Sequence, residues 1–395
     1  MANPKLYLPP NLSEDLIRKL LADLRLPEPT TVKPLITTAA YHNIYLISFP
    51  GESALSLGQA QPNEPDGSIS LVLRVSGKHL PRIKTLNEVA AMTWVRDATK
   101  IPVPAIVCFD ASQDNAIGHE YILLEKAPGV SVDTIYDSLD DEKREYLIIQ
   151  LMNYLMELRQ CEWHHSGGLS MNENGKIVPG RVLAENFWQA PEIGEFWGSE
   201  ETIDTLNVTG PFDTYTDYVE GHIQQYTLNI EKHASLEWMR DIIPRLQAFV
   251  AFLKCNATNL NDTKYILSQR DLHFGNIMCD SVTLQITAVL DWEFSAVLPL
   301  PIWTPGGGFL WNAQEGPEAL AERDRLYQIF TKLCKSLDCD LVADFDIKNQ
   351  KPYLEISRVL NYVRAIVEVC PRGQKSDSVR SWRTAAEEAL TELGA

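Results

Sequence analysis

The spacing of the apolar residues changes once along this chain, at Pro128-Gly129. Before that point apolar residues come in short runs, some strictly alternating, which suits strands with one buried face. After it they recur every three or four residues over long stretches, which suits helices packed on a core. Val32–Thr37 and Ile44–Phe49 read as two strands around the loop TTAAYHN, and Ile69–Val75, Ile106–Phe109 and Glu120–Glu125 as three more. One helix, Leu86–Thr99, ends ahead of Pro102, and a shorter one, Leu16–Leu24, has Ser13 placed to cap it. Residues 50–68 are turn formers and polar residues, an exposed loop.

Beyond the boundary the spacing predicts helices at Asp140–Arg159, Thr214–Lys232, Leu236–Thr258, Pro317–Ser336, Pro352–Val369 and Ser376–Leu393. Residues 161–213 show no clean period. Short strands are expected at Tyr265–Ser268, Ile277–Cys279 and Gln285–Leu290. Strands first and helices afterwards make an α+β protein of two lobes, residues 1–127 and 128–395. A chain of 395 residues also exceeds one core of usual size.

No apolar run is long enough to cross a bilayer, and MANPKLYLPPNLSEDLIRKL lacks the apolar segment of a signal peptide. Seven scattered cysteines with no CxxC pair suit a reducing compartment, so a cytoplasmic protein is expected. A net charge of −18 argues against nucleic acid or an anionic membrane as partner. It is compatible with a cationic small molecule, and equally with solubility alone.

LSQRDLHFGNIM, residues 267–278, carries the chemistry. An Asp and an Asn five apart are a weak signal, and a polar turn between strands is the plain reading. The surroundings add to it. Gly275 permits a tight loop, and the apolar strand Ile286–Leu290 delivers Asp291 fifteen residues after Asn276. Asn276 and Asp291 offer hard oxygen ligands suited to Mg²⁺. Asp271 is left free to accept a proton from a hydroxyl.

QRDLHFGNIM followed by ITAVLDWEF resembles the catalytic and metal-binding core of the aminoglycoside phosphotransferase and choline kinase family. WEFSAVLPLPIW is similar to fungal members. The resemblance implies a two-lobed protein-kinase-like fold: an N-terminal antiparallel sheet with one helix that binds nucleotide, and a mostly helical C-terminal lobe. It implies an enzyme that moves the γ-phosphate of ATP, with Mg²⁺, to a hydroxyl of a small molecule. Asp271 would be catalytic, and Asn276 and Asp291 would hold the metal. In LVLRV, Arg74 stands where the family places a basic residue that holds the ATP phosphates. Fourteen residues on, in LNEVAAM, Glu88 stands where its partner acid belongs. YILLEKAPG resembles the hinge, whose backbone near Glu125 and Ala127 would meet adenine. TTAAYHN falls where the phosphate-covering loop belongs, making Thr37, Thr38 and Asn43 candidates to touch phosphate. Two departures stand out: Gln269 replaces a His two residues before the catalytic Asp, and Arg74 replaces a Lys. An activation segment ending in an A-P-E-like motif is missing, which argues against a protein kinase.

Residues 161–220 hold eleven acids against two bases, with aromatics interleaved. Acids and aromatics together suit an amino alcohol or aminoglycoside-like cation, with Asp213, Asp217 and Glu220 as the substrate-binding candidates. A solvated acidic loop is the bland alternative. Trp303 and Trp311 read as core or as pocket lining, and Cys161, His164 and His165 form a poor zinc set. The rival to an enzyme is a catalytically inactive kinase-like binding or scaffold protein. Gln269 and the glycine-poor phosphate loop speak for it, the Asp271, Asn276 and Asp291 set against it.

Overall fold

Alternation in the first lobe builds a five-stranded antiparallel sheet. In this computed structural model, which describes residues 7–35, 39–57, 64–312, 314–374 and 377–395, its strands are β1 (Thr31–Leu35), β2 (His42–Phe49), β3 (Ile69–Ser76), β4 (Ile106–Asp110) and β5 (Tyr121–Glu125). They lie in the order β1-β2-β3-β5-β4. Register runs from His42 opposite Ser76 to Phe49 opposite Ile69, and Arg74 sits between Ile44 and Ile122. Side chains alternate across the sheet, so its two faces separate cleanly. Tyr45, Ile47, Leu71, Leu73 and Val75 take one face and bury against Ile17, Leu20 and Leu21 of α1 (Glu14–Asp23), which Ser13 caps. His42 and Arg74 take the other face, toward the second lobe.

α2 (Ile83–Ala98) starts three residues earlier than its apolar pattern suggests. Its first turn has no side-chain cap of its own. Instead the buried Glu120 carboxylate accepts from the Arg82 amide and from Thr85 Oγ1, both at 2.7 Å. Lys84, Asn87 and Glu88 of this helix are all buried. Asn87 joins it to the other lobe: Nδ2 donates to the carbonyls of Glu293 and Ser295, and Oδ1 accepts from the Leu169 amide.

The second lobe is built of helices Asp141–Gln160, Tyr215–Lys232, Ile243–Cys255, Pro317–Ser336, Tyr353–Val369 and Ser378–Glu392. One core runs through both lobes, joining Val89 and Met92 of α2 to Leu155, Leu267, Trp292 and Trp303. A second core joins Tyr215 and Val219 to Phe249, Val363 and Ala386. The fold is the two-lobed kinase-like one expected from the sequence, with local departures. The segment read as helix from Leu236 opens as 3-10 turns over Ala234–Ile242 and becomes α-helical only at Ile243, where Pro244 needs no hydrogen-bonded amide. The period-free stretch holds a hairpin, Leu169–Met171 with Ile177–Pro179, and short helices Ala190–Phe196 and Ile203–Leu206. Ala296–Pro299 adds a strand not foreseen from the sequence, paired with Tyr265–Ser268. Among the described residues no helix is long and apolar enough to cross a membrane. The seven cysteines are free.

Removing the Asn87 amide would strand a buried amide and two carbonyls between the lobes. Asn87→Ala should therefore cost about 3 kcal/mol in urea unfolding, a loss that an exposed-face change such as Arg96→Ala would not reproduce.

Candidate active site

Two paired strands carry the LSQRDLHFGNIM loop. Tyr265–Ser268 enters it, and the hairpin of Ile277–Cys279 with Ile286–Val289, bordered by Val130–Ser131, leaves it. Buried Gln269 ties the loop together. Its Nε2 donates to the carbonyls of Leu290 and Asp291 at 2.9 and 2.7 Å, and its Oε1 accepts from the Asp271 amide at 2.6 Å. The Leu290 amide donates to the Asn276 carbonyl at 2.8 Å. Asn276 Nδ2 donates to the Asp271 carbonyl at 3.0 Å and to Asp271 Oδ2 at 3.3 Å. The structure thus brings Asp271, Asn276 and the Asp291 backbone into one bonded unit.

Arg270 and Asp291 hold positive φ, +76° and +60°, a conformation costly for side chains of this kind. Glycines accommodate the result. A Cβ on Gly306 would lie 1.9 Å from the Arg270 carbonyl oxygen, and one on Gly308 would lie 2.9 Å from Asp271 Oδ1. His273 Nε2 stands 3.5 Å from Asp271 Oδ2. Partial desolvation pushes the Asp271 carboxyl up, although the side chain is about half exposed, with the negative charges of Asp291 and Glu185 adding to it and His273 opposing it. A carboxylate raised in this way is a stronger base.

Across the cleft, Arg74 Nη1 lies 2.6 Å from Glu88 Oε1 and Nη2 lies 3.0 Å from Asp291 Oδ1. Burial alone would lower the Arg74 pKa, but Glu88 and Asp291 raise it. Lys84 Nζ stands 2.8 Å from both Glu293 Oε2 and His42 Nε2. Burial, then the charges of Lys84 and Arg74, hold His42 far below the usual imidazole value, so it is neutral. The ligand atoms of His42, Glu88 and Glu293 lie within 4.8 Å of one another, but Arg74 and Lys84 already pair with Glu88 and Glu293 and supply the positive charge there. No motif in the sequence pointed to His42 or Lys84. The one available signal was the four-residue spacing of Lys84 and Glu88, which puts them on one face of α2.

The remaining candidates fall in different places. Glu125 has its amide bonded to the Ala105 carbonyl, whereas the Ala127 amide has no partner among the described residues. Thr37 and Thr38 lie outside the described residues. Asn43 is a correction: it pairs with Val75, on the sheet face away from Arg74, and its Nδ2 donates to the Pro9 carbonyl. Strand alternation turns it away from the face that carries Arg74.

Beside the Asp271 loop a cleft of about 780 Å³ opens, bordered by Arg270, Glu185, Tyr218, His222, Tyr362 and Arg364 among others. Asp213, Asp217 and Glu220 do not line it. Asp213 is exposed. Asp217 closes the N-terminus of helix Tyr215–Lys232 with Thr214, and Glu220 pairs with Lys254 at 2.8 Å. Tyr218, His222, Tyr226 and Asn229 of that helix, spaced by three and four residues, face the cleft instead. Trp303 is core, packed on Phe345. Trp311 is half-buried beside His273, and neither lines the cleft. Cys161, His164 and His165 form no metal-holding group among the described residues.

Over 273 residues the chain is 27% identical to the subtelomeric hrmA-associated cluster protein of Aspergillus fumigatus, covering 54% of this chain and 50% of that one. Over 296 residues it is 23% identical to clavilactone A biosynthesis cluster protein Y of Ampulloclitocybe clavipes, covering 71% and 65%. The chain thus spans about half the length of the Aspergillus relative it matches. Among solved structures, the streptomycin–ATP–APH(2")-IIa ternary complex superposes with a TM-score of 0.51 at 11% identity, covering 98% of this chain and 99% of that one, which is a likeness of fold. Residues 61–300, more than half of the chain, match the phosphotransferase enzyme family (APH), and the chain belongs to that family.

Proposed function

We propose that this protein transfers the γ-phosphate of ATP to a hydroxyl of a small molecule. The observation that carries the reading is the bonded unit of Asp271, Asn276 and Asp291, facing Arg74 held by Glu88. The donor set fits Mg²⁺: with Asn276 Nδ2 engaged by Asp271, its amide oxygen is the atom left to offer, beside a partly exposed Asp291 carboxylate. Mg²⁺ bound there would neutralise charge on the phosphate oxygens.

The residues of this chain would divide the work. Asp271 takes the proton of the acceptor hydroxyl as that oxygen bonds to phosphorus and the bond to the leaving diphosphate breaks. Arg74 offers its guanidinium to the phosphates, while Glu88 keeps it in place. The Ala127 amide is free to meet adenine. Gln269 supports the loop in place of a histidine, donating to two carbonyls and accepting from one amide without titrating. The family match and the ATP named in the APH(2")-IIa complex support the nucleotide.

One observation favours an inactive binding protein: Arg74 sits directly on Asp291, a carboxylate the metal would need. Melting with ATP, with and without Mg²⁺, separates the two readings. Nucleotide at one hundred times Kd adds about 2.7 kcal/mol of stability, and a Mg²⁺-dependent rise in Tm is expected. No rise at millimolar nucleotide would favour the inactive protein. Asp271→Asn should abolish transfer and keep the Mg·ATP shift, whereas Asp291→Ala should lose the Mg²⁺-dependent part of it. Gly308→Ala should lower kcat by about tenfold or more through displacement of the Asp271 carboxylate, with nucleotide Kd unchanged. An equal loss of ATP affinity would show that Gly308 acts on the lobe as a whole.

A further inference from the structure

We infer that the acceptor carries an anionic group, such as a carboxylate, on an aromatic or apolar body. The inference rests on reading the cleft beside Asp271 as the acceptor pocket. Position supports that reading. Arg270 precedes Asp271 in the chain and lines the cleft, and Glu185 on its wall is close enough for its charge to act on Asp271. The volume, about 780 Å³, suits a small molecule. Tyr218, Tyr226, Tyr362 and Phe187 supply flat apolar walls.

The charges on those walls are mostly positive. Two acids, Glu185 and Glu368, face Arg270, Arg364, Arg358 and Lys348. Glu368 is matched by Arg364 at 3.0 Å, and Glu185 accepts from Tyr41 at 3.1 Å. Arg358 is drawn off to Glu388 and Glu392. Arg270 has no carboxylate partner among the described residues; its one hydrogen bond goes to the Leu183 carbonyl at 3.3 Å. A half-buried guanidinium without a counter-ion, one residue from the catalytic carboxylate, is the feature that asks for an anion.

Three further observations point the same way. Of the eleven acids in residues 161–220 only Glu185 reaches the cleft. The arrangement of acid and aromatic that would trap a cation is already filled from within the chain. Arg372 lies 4.1 Å over the Trp188 ring and is held by Glu192 through two bonds of 2.9 Å. His222, on the cleft wall, is kept neutral by burial and then by Arg270 and Arg364, its pKa lowered to about 4. An ammonium placed beside it meets the same two guanidiniums. The chain's net charge of −18 does not reverse this, because exposed charges are screened beyond roughly 8–10 Å at ordinary salt.

The test is calorimetric binding of three probes of matched size to the whole chain: 4-hydroxyphenylacetate, its amide, and tyramine. The acid should bind about tenfold more tightly than the amide, with tyramine weakest. Arg270→Met should erase that order. Because it could disturb the Asp271 loop, Arg364→Met, on a separate helix, is the second variant and should weaken the acid alone. Glu368→Gln should strengthen it. Tyramine binding as tightly as the acid, no binding of the acid at millimolar concentration, or an order that survives both Arg variants would each overturn the inference. Mg·ATP binding on the same samples keeps the two readings apart. A Mg·ATP response with a preference for tyramine sinks the anion inference and leaves the kinase. A preference for the acid without a Mg·ATP response sinks the kinase and leaves an anion-binding cleft.

Discussion

The buried charge cluster at the junction of the lobes is the constraint that the rest of this molecule is arranged around. Arg74 comes from the sheet, Lys84 and Glu88 from α2, and Asp291 and Glu293 from the segment after the catalytic loop. Taking such charges out of water is costly, and the cost is offset only when every member keeps its partner. Each element is therefore held to the others. Strand β3 cannot move without exposing Glu88, and α2 cannot turn without parting Lys84 from Glu293. The neutral His42 fills the gap between the two cations and Glu293, with Nε2 accepting from Lys84. Arg74 and Lys84 face the three carboxyl groups of Glu88, Asp291 and Glu293, so the cluster is close to balance. Burial pushes Glu88 and Glu293 up, which marks where the balance is strained.

That arrangement also explains why α2 was hard to read. A helix with one apolar face shows its period in the sequence. α2 is covered on nearly all sides, by the sheet, by the core through both lobes and by the Glu293 segment, and it buries Lys84, Asn87 and Glu88 alongside Val89 and Met92. Polar residues in such a helix look like its exposed face, so its start and its tie to the second lobe were hidden. Glu88 was legible only through its spacing from Arg74. The Asp271 loop was the opposite case. The proposed function asks for oxygen ligands and a base at a tight turn, few residue types can do that, and although the Asp–Asn spacing alone was weak, Gly275 and the strand leading to Asp291 made the set legible.

Two readings rest on the same physical simplification. Asn43 was assigned by its order along the loop, yet it lies one residue into β2, and a single step along a strand reverses the face. Asp213, Asp217 and Glu220 were grouped by charge count. On a helix, residues at 217 and 220 share a face that 218, 222 and 226 do not, and the aromatics of the second set could have been separated from the acids of the first by spacing alone. Counting charge over sixty residues measures the field far from the protein. It says little about a cleft whose walls are set by which face each helix turns inward.

The distinction matters most for the acceptor. An acidic surface and a cleft lined by guanidiniums act at different distances and so do not conflict. Outside the protein the field is averaged over many screened carboxylates. Inside the cleft, water is partly excluded, and one unpaired guanidinium outweighs acids that are bonded to their own lysines and arginines. Glu201 with Lys232, Asp204 with Arg181 and Glu220 with Lys254 are such satisfied pairs. Arg270, on the cleft wall, has no carboxylate partner among the described residues, and it sits where the chain bends into the Asp271 loop at positive φ, braced by Gly306. The strain and the unmatched charge thus fall one residue from Asp271. That is where a phosphotransferase needs its acceptor held most firmly, because a small error in the position of the attacking oxygen is felt directly in the rate.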